Sequence, residues 1–155
     1  TGLTEGRPML VRMPDTQPSF ANLARSLVYG AIATLKLGMD ILVEQEHVKI
    51  DSLLGHGGFF KTPEIGQSIF AAVMNAPVSV MATAGEGGAW GIAVLASYMI
   101  NKNGLSLPDY LDEKVFLKQK MTTVSPDEKE VAAFNEFMKS YKAGLAIEKA
   151  AVEAF

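Results

Sequence analysis

Eight of the fourteen glycines in this 155-residue chain fall between Gly55 and Gly91, and that crowding constrains the fold more than any other feature. They gather mainly in two segments. The first is Leu54-Gly55-His56-Gly57-Gly58-Phe59-Phe60-Lys61-Thr62-Pro63, and the second is Ala84-Gly85-Glu86-Gly87-Gly88-Ala89-Trp90-Gly91. Each stands between a short β-like run and a helical pattern, where an open α/β sheet makes its turns. In such sheets ligands sit beyond the carboxyl ends of the strands. Glycine lets the main chain take φ > 0 and approach a flat ring or a phosphate with no Cβ in between.

The flanking patterns give the order of elements. Met9 to Met13 reads as a short strand stopped by Pro14. Phe20, Leu23, Ala24, Leu27, Val28, Ala31, Leu35 and Leu42 recur at helical spacing, which predicts a long helix from about Ser19 to Glu44. Val48, Ile50 and Ser52 alternate with Lys49 and Asp51 as in a half-buried strand ending at Gly55. Thr62-Pro63-Glu64 opens a helix whose apolar side carries Ile65, Ile69, Phe70 and Val73. Asn75-Ala76-Pro77 breaks it before a strand at Val78 to Met81. Ala89 to Ile100 is apolar on every side, the pattern of a helix buried between layers. A short helix follows from Pro108 to Phe116. Ser125-Pro126-Asp127-Glu128 has the form of a capping box, and Val131, Phe134, Met138, Tyr141 and Leu145 stripe the helix after it. The alternation of strands and helices predicts an α/β domain, a small sheet covered by helices.

Composition narrows the function classes. With 48% hydrophobic residues the chain has material for a core, and its length suits one domain. The absence of cysteine excludes disulfides and thiolate metal sites. A net charge of -3 argues against nucleic acid as a partner. No run approaches the roughly 18 consecutive apolar residues of a membrane span, so no membrane partner is expected. The paired carboxylates Asp109, Asp112 and Glu113, and Asp127 with Glu128, have the spacing of solvated helix ends, and no histidine accompanies them as a metal ligand would.

The chemistry of the glycine turns stays open at this level. Neither contains the Gly-Lys-Ser/Thr of a phosphate loop, and neither matches the dinucleotide fingerprint. A ligand edge and tight turns needed for helix–sheet packing weigh about equally. His56 reads as a solvated turn residue, Lys61 as a surface lysine beside a helix start, Glu86 as a residue stabilising a helix N-terminus and Trp90 as core.

Residues His56-Gly57-Gly58-Phe59-Phe60-Lys61-Thr62-Pro63-Glu64-Ile65-Gly66-Gln67, then Asn75-Ala76-Pro77-Val78, then Gly85-Glu86-Gly87-Gly88-Ala89-Trp90-Gly91-Ile92-Ala93, together resemble the C-terminal domain of the FGGY family of carbohydrate kinases, which includes xylulokinase, ribulokinase and glycerol kinase. The likeness runs from about Ser52 to Tyr98, and the helices around Arg25-Ser26 and Tyr141 to Leu145 share it. The resemblance implies a ribonuclease-H-like ATPase domain of the actin and hexokinase superfamily, here a partial domain over residues 1–155. It implies an N-terminal domain of the same enzyme as partner, which would hold the sugar and the catalytic aspartate. ATP with Mg²⁺ would lie between the two domains. Carried over by position, Gly57, Gly58 and Phe59 would line the adenosine edge, with Gln67 and Asn75 near the base. The family's usual turn continues with a third glycine or alanine, then serine and tryptophan; here Phe59-Phe60-Lys61-Thr62 stands instead, as in a divergent group near the pentulose kinases.

The resulting expectation is a cytoplasmic, ATP-side kinase domain, inactive alone. The start at Thr1, without an initiator Met, fits an excised piece. A rival from another class is a non-catalytic nucleotide-binding or regulatory module, and a third is a plain α/β binding domain with structural glycine turns. Only about three strands are evident, which predicts a homodimer or a loop-covered sheet edge.

Overall fold

The computed structural model describes residues 3–62, 64–117 and 119–154. The chain divides into two compact units, Thr1–Lys49 with Glu128–Phe155, and Ile50–Asp127.

The first unit is built on two long helices. Helix α1 spans Phe20–Asp40, starts where the Ser19 hydroxyl accepts the Asn22 N–H, and continues into a π-helical turn over Ile41–Gln45. The last helix of the chain spans Glu128–Ala154 and is numbered α5 below. Their cross-links rise together along both sequences, so the two helices run parallel. Arg25 pairs with Glu130, the hydroxyls of Thr34 and Tyr141 share a hydrogen bond of 3.0 Å, and Lys142 reaches Asp40 at 3.6 Å. Between them lies a core of Tyr29, Ile32 and Ala33 against Phe134 and Met138. The Tyr29 ring meets Phe134 edge-on at 5.0 Å. Its hydroxyl donates to Glu130 at 3.2 Å and accepts from Arg25 at 3.3 Å, so this buried polar group is fully used.

The buried side of α1 is not the one that spacing suggested. Phe20, Leu27 and Leu35 are exposed, because α1 is apolar around most of its circumference and the aromatic face of α5 selects Tyr29, Ile32 and Ala33. The same composition gives this unit one long apolar helix. Phe20–Gln45 is long and apolar enough to cross a membrane by length and composition, although Arg25, Lys36 and Asp40 interrupt it and all three form ion pairs within this unit. Residues 6–13 form no strand. Met9, Leu10, Val11 and Met13 stand exposed without a pairing partner.

The second unit holds the sheet. Strand β1 (Leu53–Gly55) leads through a glycine turn and a 3₁₀ turn at Gly58–Lys61 into α2 (Ile65–Met74), which returns the chain to β2 (Val78–Met81). A second 3₁₀ turn at Ala84–Glu86 opens α3 (Gly87–Asn101). Helix α4 (Leu107–Tyr110), capped by Ser106, runs into a π-helical turn at Leu111–Phe116, and β3 (Met121–Val124) completes the sheet. The order is β1-β2-β3, with β1 parallel to β2 (Leu53 opposite Val78) and β3 antiparallel to it (Val78 opposite Val124). This is a mixed sheet with helices, as the alternating pattern predicts.

Three details depart from expectation. Residues 48–52 lie outside the sheet ladder, which starts at Leu53 opposite Val78. Strand β3 has no hydrophobic alternation in Met121-Thr122-Thr123-Val124; it pairs with β2 through an antiparallel ladder, to which the Ser79 and Thr123 hydroxyls add a contact at 2.8 Å. Helix α3 is not buried: Ile92, Leu95, Met99 and Ile100 are all exposed, and no residue of the helix is fully covered. Helix α2 begins at Ile65 after Glu64 at φ 64°, and the expected first-turn Pro63 lies outside the described residues.

Candidate functional site: two glycine turns at one end of the sheet

Both glycine segments follow the carboxyl ends of parallel strands, so the βαβ topology delivers them to the same edge. There they are bonded to each other. The N–H of Gly57 donates to the carbonyl of Ala84 at 2.7 Å, and Lys61 Nζ meets Glu86 Oε1 at 2.6 Å. The hydrogen bond from Lys61, and then its charge, hold the Glu86 carboxyl below its ordinary value.

The glycines of this edge have separable tasks. Gly57 sits at φ 102°, ψ -179°, a conformation open essentially to glycine alone. Gly55 and Gly66 serve packing. A Cβ on Gly55 would lie 2.6 Å from the Phe60 ring, and one on Gly66 would lie 2.3 Å from the Phe59 carbonyl oxygen. Gly87 similarly leaves room for the His56 ring, 2.9 Å from a Cβ placed there. Gly58 is open instead, as are Gly57, Gly88 and Gly91: a Cβ there meets nothing within 4 Å. Its open side faces space that the chain does not fill. Phe59, partly exposed at 39%, closes a cluster with Phe60 and Phe70 at centroid distances of 5.4 and 6.2 Å. The turn thus joins an open position at Gly58 to an aromatic cluster that starts at Phe59.

The structure brings Gly57, Gly58 and Phe59 together in one turn and separates the other two residues assigned with them. Gln67 is 4% exposed. Its Nε2 donates at 2.7 Å to the carbonyls of both Val78 and Thr122, and its Oε1 accepts from the Thr122 hydroxyl at 3.3 Å. Its side chain spans strands β2 and β3 from within. Asn75 terminates α2 in the left-handed region at φ 49°, which asparagine tolerates better than most residues. Ten residues of helix, about 15 Å at 1.5 Å per residue, separate it from the turn. Trp90 is only partly covered and lies 5.9 Å from Phe116. Lys61 and Glu86, read from sequence as a surface lysine and a helix-end acid, prove to be partners across the two turns. Sequence separation hid that pairing. Among the described residues no three metal-ligating side chains come together.

The sequence is that of a known domain family. Residues 2–100 match the model of the FGGY family of carbohydrate kinases, C-terminal domain. The match covers most of the chain and includes both glycine turns, so the chain belongs to that family. Its members are ATP-dependent kinases that act with a divalent metal. Comparison with curated proteins and with solved structures gave no match.

Proposed function

We propose that this chain is the ATP-side domain of a carbohydrate kinase of pentulose type, with the ribonuclease-H-like fold of the actin and hexokinase superfamily. Family membership supports the reaction class. The observation that carries the site is the bonded pair of glycine turns, with Gly58 open to space and joined to the aromatic cluster that starts at Phe59. A turn without a Cβ accepts a flat adenosine at van der Waals distance, and the adjoining aromatic cluster gives the ring a surface to displace water from.

In this reading Gly57, Gly58 and Phe59 bound the adenosine. Gln67 acts behind them by fixing the strands, and Asn75 by ending α2 so that β2 starts in register. The γ-phosphoryl group of ATP passes to a sugar hydroxyl, with Mg²⁺ arriving on the nucleotide phosphates. This chain's contribution is to bind, orient and exclude water. The N-terminal domain of the same enzyme supplies the sugar pocket and the catalytic acid, so residues 1–155 alone are inactive. The enzyme works in the cytoplasm. A second copy paired along the open edge of β1 belongs to the same reading for the isolated chain.

The second reading is a non-catalytic nucleotide-binding or regulatory module of the same superfamily fold. One assay separates the two. The complete coding sequence is expressed and ATP consumption is followed with a panel of pentuloses, hexoses and glycerol. Turnover with a pentulose agrees with the proposal. Nucleotide binding without turnover on any carbohydrate replaces it with the second reading.

A further inference from the structure

We propose that Lys61 and Glu86 form a clamp that holds the two glycine turns in register and so positions the Gly57–Gly58 edge; the inference rests on the nucleotide reading above. The two residues are 25 apart in sequence. Lys61 ends the 3₁₀ turn that begins at Gly58, and Glu86 ends the one that opens α3. Glu86 directly precedes α3, whereas Lys61 stands four positions before the start of α2 at Ile65.

The route between them is cleared. The Lys61 stem passes over Gly85, where a Cβ would approach its Cγ and Cε to 3.1 and 3.2 Å. The ammonium then meets Glu86 at 2.6 Å. Beneath this bridge lies the main-chain bond from Gly57 to Ala84, so the turns are tied at two levels. Both charged ends are well exposed, at 57% and 74%. An exposed pair adds little to global stability. Its effect is local, on segments whose glycines leave them many conformations to lose on ordering. Lys61 and Glu86 are positioning residues, acting on the nucleotide through the backbone of Gly57 and Gly58.

The test uses the 155-residue chain and five proteins: wild type, Lys61→Met, Glu86→Gln, Lys61→Arg and the exchanged pair Lys61→Glu with Glu86→Lys. Two quantities are read, hydrogen exchange at the Gly57 amide and affinity for Mg-ATP by amide chemical shift. The clamp predicts that Lys61→Met and Glu86→Gln each speed Gly57 exchange about five-fold and weaken ATP about three-fold, the scale of an exposed ion pair. Lys61→Arg and the exchanged pair restore both. Unchanged Gly57 exchange in the two single variants overturns the clamp, as does faster exchange with unchanged ATP affinity. If Glu86→Gln is harmless while the exchanged pair fails to bind, Lys61 touches the nucleotide itself and the positioning role is wrong. Absence of any ATP response in wild type refutes the nucleotide reading instead, while Gly57 exchange still decides whether the clamp exists.

Discussion

Gln67 donates its side-chain amide to the main-chain carbonyl of Thr122 at 2.7 Å from a position almost closed to solvent. Thr122 lies beyond residue 100, where the family match ends. The bond thus ties β3, outside the matched stretch, to the helix that follows the first glycine turn. Replacing Gln67 with Leu keeps the volume and removes the amide, leaving the carbonyls of Val78 and Thr122 without it. Val78 is fully buried whereas Thr122 is exposed, so the loss falls mainly on the Val78 carbonyl, at about 1–3 kcal/mol for a buried acceptor that loses its partner. Urea unfolding of Gln67→Leu is expected to show a loss of that size, with the largest amide shift changes in β2 and β3.

The glycines of the site divide by substitution. Gly66→Ala places a methyl 2.3 Å from the Phe59 carbonyl oxygen, and overpacking against backbone is expected to cost about 1–3 kcal/mol. Gly58→Ala meets open space and is expected to change stability by less than about 0.5 kcal/mol. Thermal unfolding of the two variants checks the contrast. Gly58→Ala should still weaken ATP binding, because its methyl occupies the approach to the turn.

In the helical unit, Phe134 is fully buried against Tyr29. Truncation of Phe134 to Ala is expected to destabilise the chain by about 3–5 kcal/mol, the usual cost of an aromatic-sized cavity. Chemical denaturation measures it directly.

The Lys61–Glu86 pair also predicts a pH response. The hydrogen bond from Lys61, and then its charge, hold the folded-state Glu86 carboxyl below the ordinary carboxylate range. A depressed carboxyl contributes its stabilisation above the unfolded value, and loses it as pH falls through the folded value. The Gly85 and Gly57 amide shifts should therefore be flat near neutrality and titrate only below the ordinary carboxylate range. In Lys61→Met the midpoint should rise toward the ordinary carboxyl value. An NMR titration of both proteins reads the difference.

Much of this arrangement is legible in the chain itself, and the exceptions have physical causes. Gly57-Gly58 and Asn75-Ala76-Pro77 mark turns because glycine and proline restrict or free the backbone locally, whatever lies around them. The edge that the two glycine segments share follows from the strand–helix alternation. Helix faces were less readable. Helix α1 offers apolar residues on more than one side, so Tyr29 was chosen by Phe134 and not by periodicity. Helix α3 has the composition of a buried element, yet Ile92 and Met99 face solvent. Burial depends on what lies opposite, and composition carries no record of that. Thr122 and Gln67 were missed as partners for the same reason: the bond joins residues 55 apart in the chain.

The most direct test of the central claim is a map of amide chemical shifts as Mg-ATP is added to the chain at millimolar concentration, where a dissociation constant near 1 mM, about -4 kcal/mol, is still readable. The account predicts that the changes concentrate at Gly57, Gly58 and Phe59 and extend to Ala84 through Gly88, with the Phe134 region silent. Changes confined to other surfaces, or none at the two glycine turns, would contradict it.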